Sequence, residues 1–128
     1  MGRALIMHID DAPYRRGGPN TLGGPITRGN QFFGDMEKGP WVMINSLHPG
    51  FVSKPHSHDQ DELIYIVQGT MTMGSKECGP GTLVYMEKGT VYGFTAGDEG
   101  VRFLNVRPGK EGFSTIHYAG EASEAFKG

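Results

Sequence analysis

The sequence predicts an all-β protein: an antiparallel double-stranded β-helix, or jelly-roll barrel, in a single domain. Three observations predict it. Apolar residues come in short alternating runs, which suit half-buried strands. The 21 glycines and 8 prolines fall largely between those runs, where they mark turns. No stretch holds a helical period, so about nine or ten short strands must protect their own edges, and closure into a barrel does this. With 128 residues and 37% hydrophobic content, the chain can build one core.

Residues 4–9 read as a first strand. Residues 11–30 hold Pro13, Pro19, Pro25 and two glycine pairs, with a short echo in GGPNT and GGPIT. They read as a polar loop, with Arg15 and Arg16 as a solvated pair. The expected organisation is an N-terminal strand and loop or arm over 1–30, a barrel over 31–118 and a tail over 119–128. Residues 31–36 read as a strand, and Gly39-Pro40 as the turn after it. Trp41–Leu47 is the next strand, closed by Pro49-Gly50. Asn45 shares a face there with Met43 and Leu47, either in a pocket or outside. Gly69 allows a tight turn, from which residues 70–73 return as a hairpin. Residues 78–81 form a turn, and Cys78 packs as a small apolar group. Residues 82–86 and 90–95 are strands joined across Glu87-Lys88-Gly89. Residues 101–107 and 113–118 complete the set. Arg102 and Arg107 fall on opposite parities, so at most one faces a pocket, where it would grip a carboxylate.

The chemistry concentrates in residues 50–69, GFVSKPHSHDQDELIYIVQG. In an extended strand His56 and His58 point the same way. Glu62 is in phase with them, and Ile64 and Ile66 continue that face as a dry lining. Two imidazoles and a carboxylate are a competent ligand set for a divalent metal. A buried, ionised Glu62 needs a strong partner, and a metal supplies one. Leu63, Tyr65 and Val67 carry the other face, so the strand reads as central or covered.

Gly50, His56, His58, Glu62 and Gly69, at these spacings, resemble the first motif of the cupins. Residues 81–96 are similar to the second. Gly81 and Gly89 are in place, Glu87 stands for the usual proline, Tyr92 for the third histidine ligand and Ala96 for a common asparagine. The resemblance implies a small β-barrel with a metal in its mouth, and a homodimer paired through an outer sheet face. It names no reaction. The ligands would be His56, His58 and Glu62, around one divalent transition metal per chain: Fe, Mn, Ni, Co or Zn. Tyr92 would bind the metal as phenolate, act as an acid, base or hydrogen-bond donor, or line the pocket.

The leading expectation is a metal-dependent enzyme acting on a small oxygen-bearing metabolite, of dioxygenase, isomerase, lyase or cyclase type, with Tyr92 as its catalytic residue. The other is a cupin that binds or senses a sugar or hydroxy acid without turnover. His8, His48 and His117 read as surface or packing residues, though any could fill a fourth ligand position. A net charge of −2 argues against nucleic acid. A lone cysteine excludes an internal disulfide, and no apolar run approaches a signal peptide or a membrane span. A cytoplasmic location is expected.

Overall fold

A computed structural model describes residues 2–19, 23–35, 37–109 and 115–117. Apart from a 3-10 turn at Ile9–Asp11, its regular structure is all strand. The strands are β1 (Tyr14–Gly17), β2 (Gly29–Phe33), β3 (Trp41–Leu47), β4 (Val52–His58), β5 (Glu62–Met73), β6 (Lys76–Cys78), β7 (Leu83–Met86), β8 (Tyr92–Arg107) and β9 (Thr115–His117). Pairing among the described residues is antiparallel throughout. One path runs β1-β2-β3-β8-β4-β9, and β5 adds a second through β6, β7 and β8.

β8 is the spine. In its C-terminal half Leu104 faces Ile44 of β3 on one side and Tyr65 of β5 on the other. In its N-terminal half Thr95 faces Val52 of β4 and Thr72 of β5. Two long, bent strands that share this pairing roll the sheet into a jelly-roll barrel. The bend falls where Gly69 and Met71 of β5 meet Val101 and Ala96 of β8 across an irregular register. Gly69 has a φ of 73°, and a Cβ there would overlap the Gly100 carbonyl, so glycine lets the two strands touch. The expected hairpin at Gly69 is therefore absent. β5 runs on to Met73, and the turn falls at Gly74 and Ser75. Likewise, residues 90–95 and 101–107, expected as two strands, mostly belong to the single strand β8.

The core holds Leu47, Ile64, Ile66, Met71, Val101 and Phe103, among others. Each fully buried aliphatic side chain contributes roughly 1.5–3 kcal/mol. On β5 the side chains alternate, so Glu62, Ile64 and Ile66 go inward. β5 is central, flanked by β7 and β8, which meets the first half of the expectation that it is central or covered, but no described residue covers its reverse face fully. Leu63 and Tyr65 are 37% and 39% exposed, and Tyr85 and Leu83 opposite them are each 65% exposed.

Two N-terminal expectations are also corrected. Residues 4–9 join no strand. Residues 4–8 lie exposed and lead into the 3-10 turn that Ile9 opens, which His8 caps by accepting from the Asp10 N–H at 3.1 Å. Buried Gln31 ties the turn down, donating to the carbonyls of Ile9 and Ala12 at 2.8 and 3.1 Å. Within residues 11–30, β1 pairs with β2 as a hairpin. β1 shows no apolar alternation because none of its residues is buried, and its backbone ladder holds it instead. The expected tail at 119–128, and residues 113, 114 and 118 of the expected last strand, lie outside the described residues. No described helix is long and apolar enough to cross a membrane.

Candidate metal and substrate site

His56 and His58 close β4, and Glu62 opens β5. The three donors are not one ribbon, as the in-phase reading had them. Residues 59–61 break the strand, and β4 and β5 do not pair with each other. That break is anchored. Asp61 accepts from the Lys88 N–H at 2.8 Å and from the Tyr85 hydroxyl at 3.1 Å, and the Gly89 N–H donates to the His58 carbonyl at 2.8 Å. The Lys88 amide, then the Tyr85 hydroxyl, hold the Asp61 carboxyl below its usual range.

The His56 and His58 rings lie 4.9 Å apart, and Tyr92 lies 4.4 Å from the first and 6.0 Å from the second. The Lys54 carbonyl can only accept, so His56 donates Nδ1–H to it at 2.7 Å. In the neutral ring Nε2 then carries the lone pair. His58 Nδ1 meets the Thr115 hydroxyl at 3.0 Å. Both contacts orient their rings from behind, as a partner to a ligating histidine does.

Glu62 is 2% exposed and has its own partners. Oε1 accepts from the Tyr92 hydroxyl at 2.5 Å. Oε2 accepts from Asn105 Nδ2 at 3.1 Å and from Arg107 Nε at 3.4 Å. Arg107 Nε also donates to Asn105 Oδ1 at 2.9 Å. The strong partner that Glu62 was expected to need is therefore present in the chain, and it is a guanidinium. Burial, then the charge of Glu62 and its hydrogen bond, push the Tyr92 phenol far above its usual value. With these partners Tyr92 stands as a neutral donor to Glu62. Burial pulls the Arg107 guanidinium down, opposed by Glu62. As the side chains stand, no three His, Cys, Asp or Glu among the described residues group tightly enough to hold an ion.

His56, His58, Tyr92, Asn105 and Arg107 line a cleft of about 800 Å³ at the barrel mouth, and Glu62 lies beneath it. Asn45, whose face the sequence left open, lines it and accepts from the Asn30 side chain. The two arginines of β8 divide as their parity predicts. Arg107 faces the cleft, while Arg102 binds Asp10 at 2.7 Å and Gln31 at 2.9 Å. Of the histidines set aside, His8 caps its turn and His48 packs edge-on against Phe51 at 5.4 Å. His117 is different: it pairs with His56 across β4 and β9, and its ring lies 6.1 Å away in the cleft. Sequence reasoning also missed Arg16, Arg28, Asn30 and Asn105, which line the same cleft. Asn105 could have been found, since it shares the parity of Arg107. The polar hairpin gave no such signal. Cys78 is buried and its thiol is pushed up by that burial, so it has no place in the chemistry.

A jelly-roll barrel with paired histidines and a buried glutamate at its mouth defines a cupin. Within that class, the profile of the ChrR cupin-like domain family matches residues 3–110, and the chain belongs to that family. No protein of curated function matches it. Solved structures share the fold at low identity. The polyketide cyclase RemF from Streptomyces resistomycificus has a TM-score of 0.67 at 19% identity, over 93% of this chain and 89% of that one. An oxalate decarboxylase variant from B. subtilis has a TM-score of 0.61 at 20% identity, over 92% of this chain and 34% of that one. The anti-sigma ChrR, in complex with SigE of Rhodobacter sphaeroides, has a TM-score of 0.59 at 17% identity, over 78% and 51%.

Proposed function

We propose that this cupin is a metal-dependent enzyme acting on a small oxygen-bearing metabolite. One divalent transition ion, of Fe, Mn, Ni, Co or Zn, would be held by His56, His58 and Glu62. The observation that carries this reading is the convergence of two oriented imidazoles and a neutral phenol on one cleft, with a buried carboxylate directly behind the phenol. The donor chemistry fits on one condition. Oε2 of Glu62 is braced by Asn105 and Arg107, as a ligating carboxylate is, but the Tyr92 hydroxyl must yield its place on Oε1. When bound, such an ion acts as a Lewis acid on a substrate oxygen. Tyr92, neutral at ordinary pH, offers its proton to the bound metabolite. Arg107 gives an oxyanion a charged partner, and Ile64, Phe94 and Phe103 form the apolar wall.

Elemental analysis after metal supplementation tests this. About one ion per chain is expected, with His56→Ala/His58→Ala empty and Glu62→Gln at least about tenfold weaker in affinity. Wild-type protein that takes up no transition ion defeats the enzymatic reading. A second reading, binding or sensing without turnover, is favoured by one observation: Glu62 is fully partnered by the chain itself. The anti-sigma ChrR, which shares the fold, supports it by analogy. Ligand binding with neither metal uptake nor turnover would select it.

We also propose a homodimer through the outer face of β5 and β7, in a reducing compartment such as the cytoplasm. The exposed cross-strand pairs Leu63–Tyr85 and Tyr65–Leu83 support the first. The single, buried thiol supports the second. Light scattering should give twice the chain mass, falling to one chain in Leu83→Lys/Tyr85→Lys.

A further inference from the structure

The charge of the cleft is one-sided. Among the described residues its wall carries Arg16, Arg28, Lys54 and Arg107, with three histidines and no aspartate or glutamate. Yet the whole chain has a net charge of −2. Arg107 is matched by Glu62 beneath it. Arg16 and Arg28 make no ion pair among the described residues.

Both come from the β1–β2 hairpin region. Arg16 lies opposite Asn30, Asn30 lies opposite Asn45, and the two asparagines are hydrogen-bonded, so a polar row crosses three strands into the cleft. Arg28 lies over the Phe51 ring at 5.2 Å, and His48 braces that ring edge-on. Stacking orients a guanidinium and leaves its N–H edge available for an anion. The hairpin is closed tightly where Gly17 passes Arg28: any Cβ at Gly17 would overlap the Arg28 carbonyl.

We propose that Arg16 and Arg28 form a second anion-binding point, and that the cleft takes a dicarboxylate. One carboxylate sits at the His56, His58 and Arg107 end, and the other on the hairpin arginines. This rests on the reading above that the inner end accepts an oxygen-bearing ligand. Two guanidinium groups offer fork-shaped donors that match planar carboxylates. The dielectric mismatch between cleft and solvent concentrates their field on an incoming anion.

The test uses the full chain as purified and pairs of straight-chain acids of equal length, from glutarate against valerate to suberate against octanoate. Titration calorimetry at low salt reads the affinities. At least one diacid should bind about tenfold more tightly than its monoacid partner, an advantage of about 1.4 kcal/mol. Arg16→Gln/Arg28→Gln should erase that advantage and leave monoacid affinity within about twofold, since it removes only the charge-assisted bonds at the outer point. Arg28→Lys, which keeps the charge but loses the planar fork, should fall between. Diacids and monoacids that bind alike overturn the second point alone, as does a double variant that keeps the advantage. If no acid of either kind binds, the inner site fails along with it.

Discussion

Asp61 and Glu62 are neighbours in sequence with parallel partners and opposite surroundings. Each accepts a hydrogen bond from a tyrosine hydroxyl, Tyr85 in one case and Tyr92 in the other. Each raises the pKa of that tyrosine. But Asp61 faces solvent, whereas Glu62 is buried and needs Asn105 and Arg107 as well. Water solvates the charge of Asp61 and leaves its contacts with the work of shaping a loop. The same chemistry one residue later sits in a low dielectric, where a lost partner cannot be replaced.

The largest effect should come from splitting the buried pair. Arg107→Met leaves Glu62 charged and unpaired, and should destabilise the fold by about 3–5 kcal/mol in urea denaturation. Glu62→Gln/Arg107→Met should recover most of that loss, because the buried charge goes with its partner. A double variant as unstable as the single one would show that Arg107 acts by packing instead.

Next comes Tyr92→Phe. It strips Oε1 of its donor and should cost about 1–3 kcal/mol at neutral pH. It should also change the alkaline limb. The folded protein holds the Tyr92 proton more tightly than the unfolded chain does. That stability is complete below the ordinary tyrosine value, about 10, and falls as pH rises above it, by about 1.4 kcal/mol per pH unit. Subtracting the Tyr92→Phe curve from wild type between pH 9 and 11 should isolate this slope. A flat difference means that burial and Glu62 do not hold the phenol's proton as the structure implies.

The smallest effect belongs to Asp61→Asn. The carboxyl of Asp61 is held below its usual value, so its contribution is present above the ordinary aspartate range and fades as pH falls through the folded value. The variant should differ slightly from wild type at pH 7 and approach it as pH falls below the ordinary aspartate range. A large shift at neutral pH would mean that the loop at 59–61 carries more of the fold than its exposure implies.

The same contrast explains what could be seen in advance. The barrel was legible because apolar alternation and glycine placement are local signals: Trp41–Leu47 was bounded correctly, and Gly50, Gly81 and Gly89 all take positive φ at turns. Parity along β8 was enough to separate Arg102 from Arg107. The partners of Glu62 were hidden because they lie 30 to 45 residues away, joined only by the fold. The strand break at 59–61 was hidden because phase counting assumes an unbroken ribbon. The β1–β2 hairpin was hidden because a strand with no buried side chain writes no pattern. His117 reaches His56 only through the pairing of β4 with β9.

In the register of β5 with β8 the four residues at 97–100 stand against Thr70 alone, held instead by Gly50 and Ile26, whose N–H groups donate to the Gly97 and Glu99 carbonyls, and they separate Tyr92 and Phe94 from Phe103, Asn105 and Arg107 on one strand. They serve as slack between two rulers. A change of length there breaks the bonds to Ile26 and Gly50 but leaves the two paired ends aligned with their neighbours. A residue added or lost between 101 and 107 has no such reserve: it would exchange inside for outside and send Arg107 into solvent. Drift in length should therefore collect at this joint.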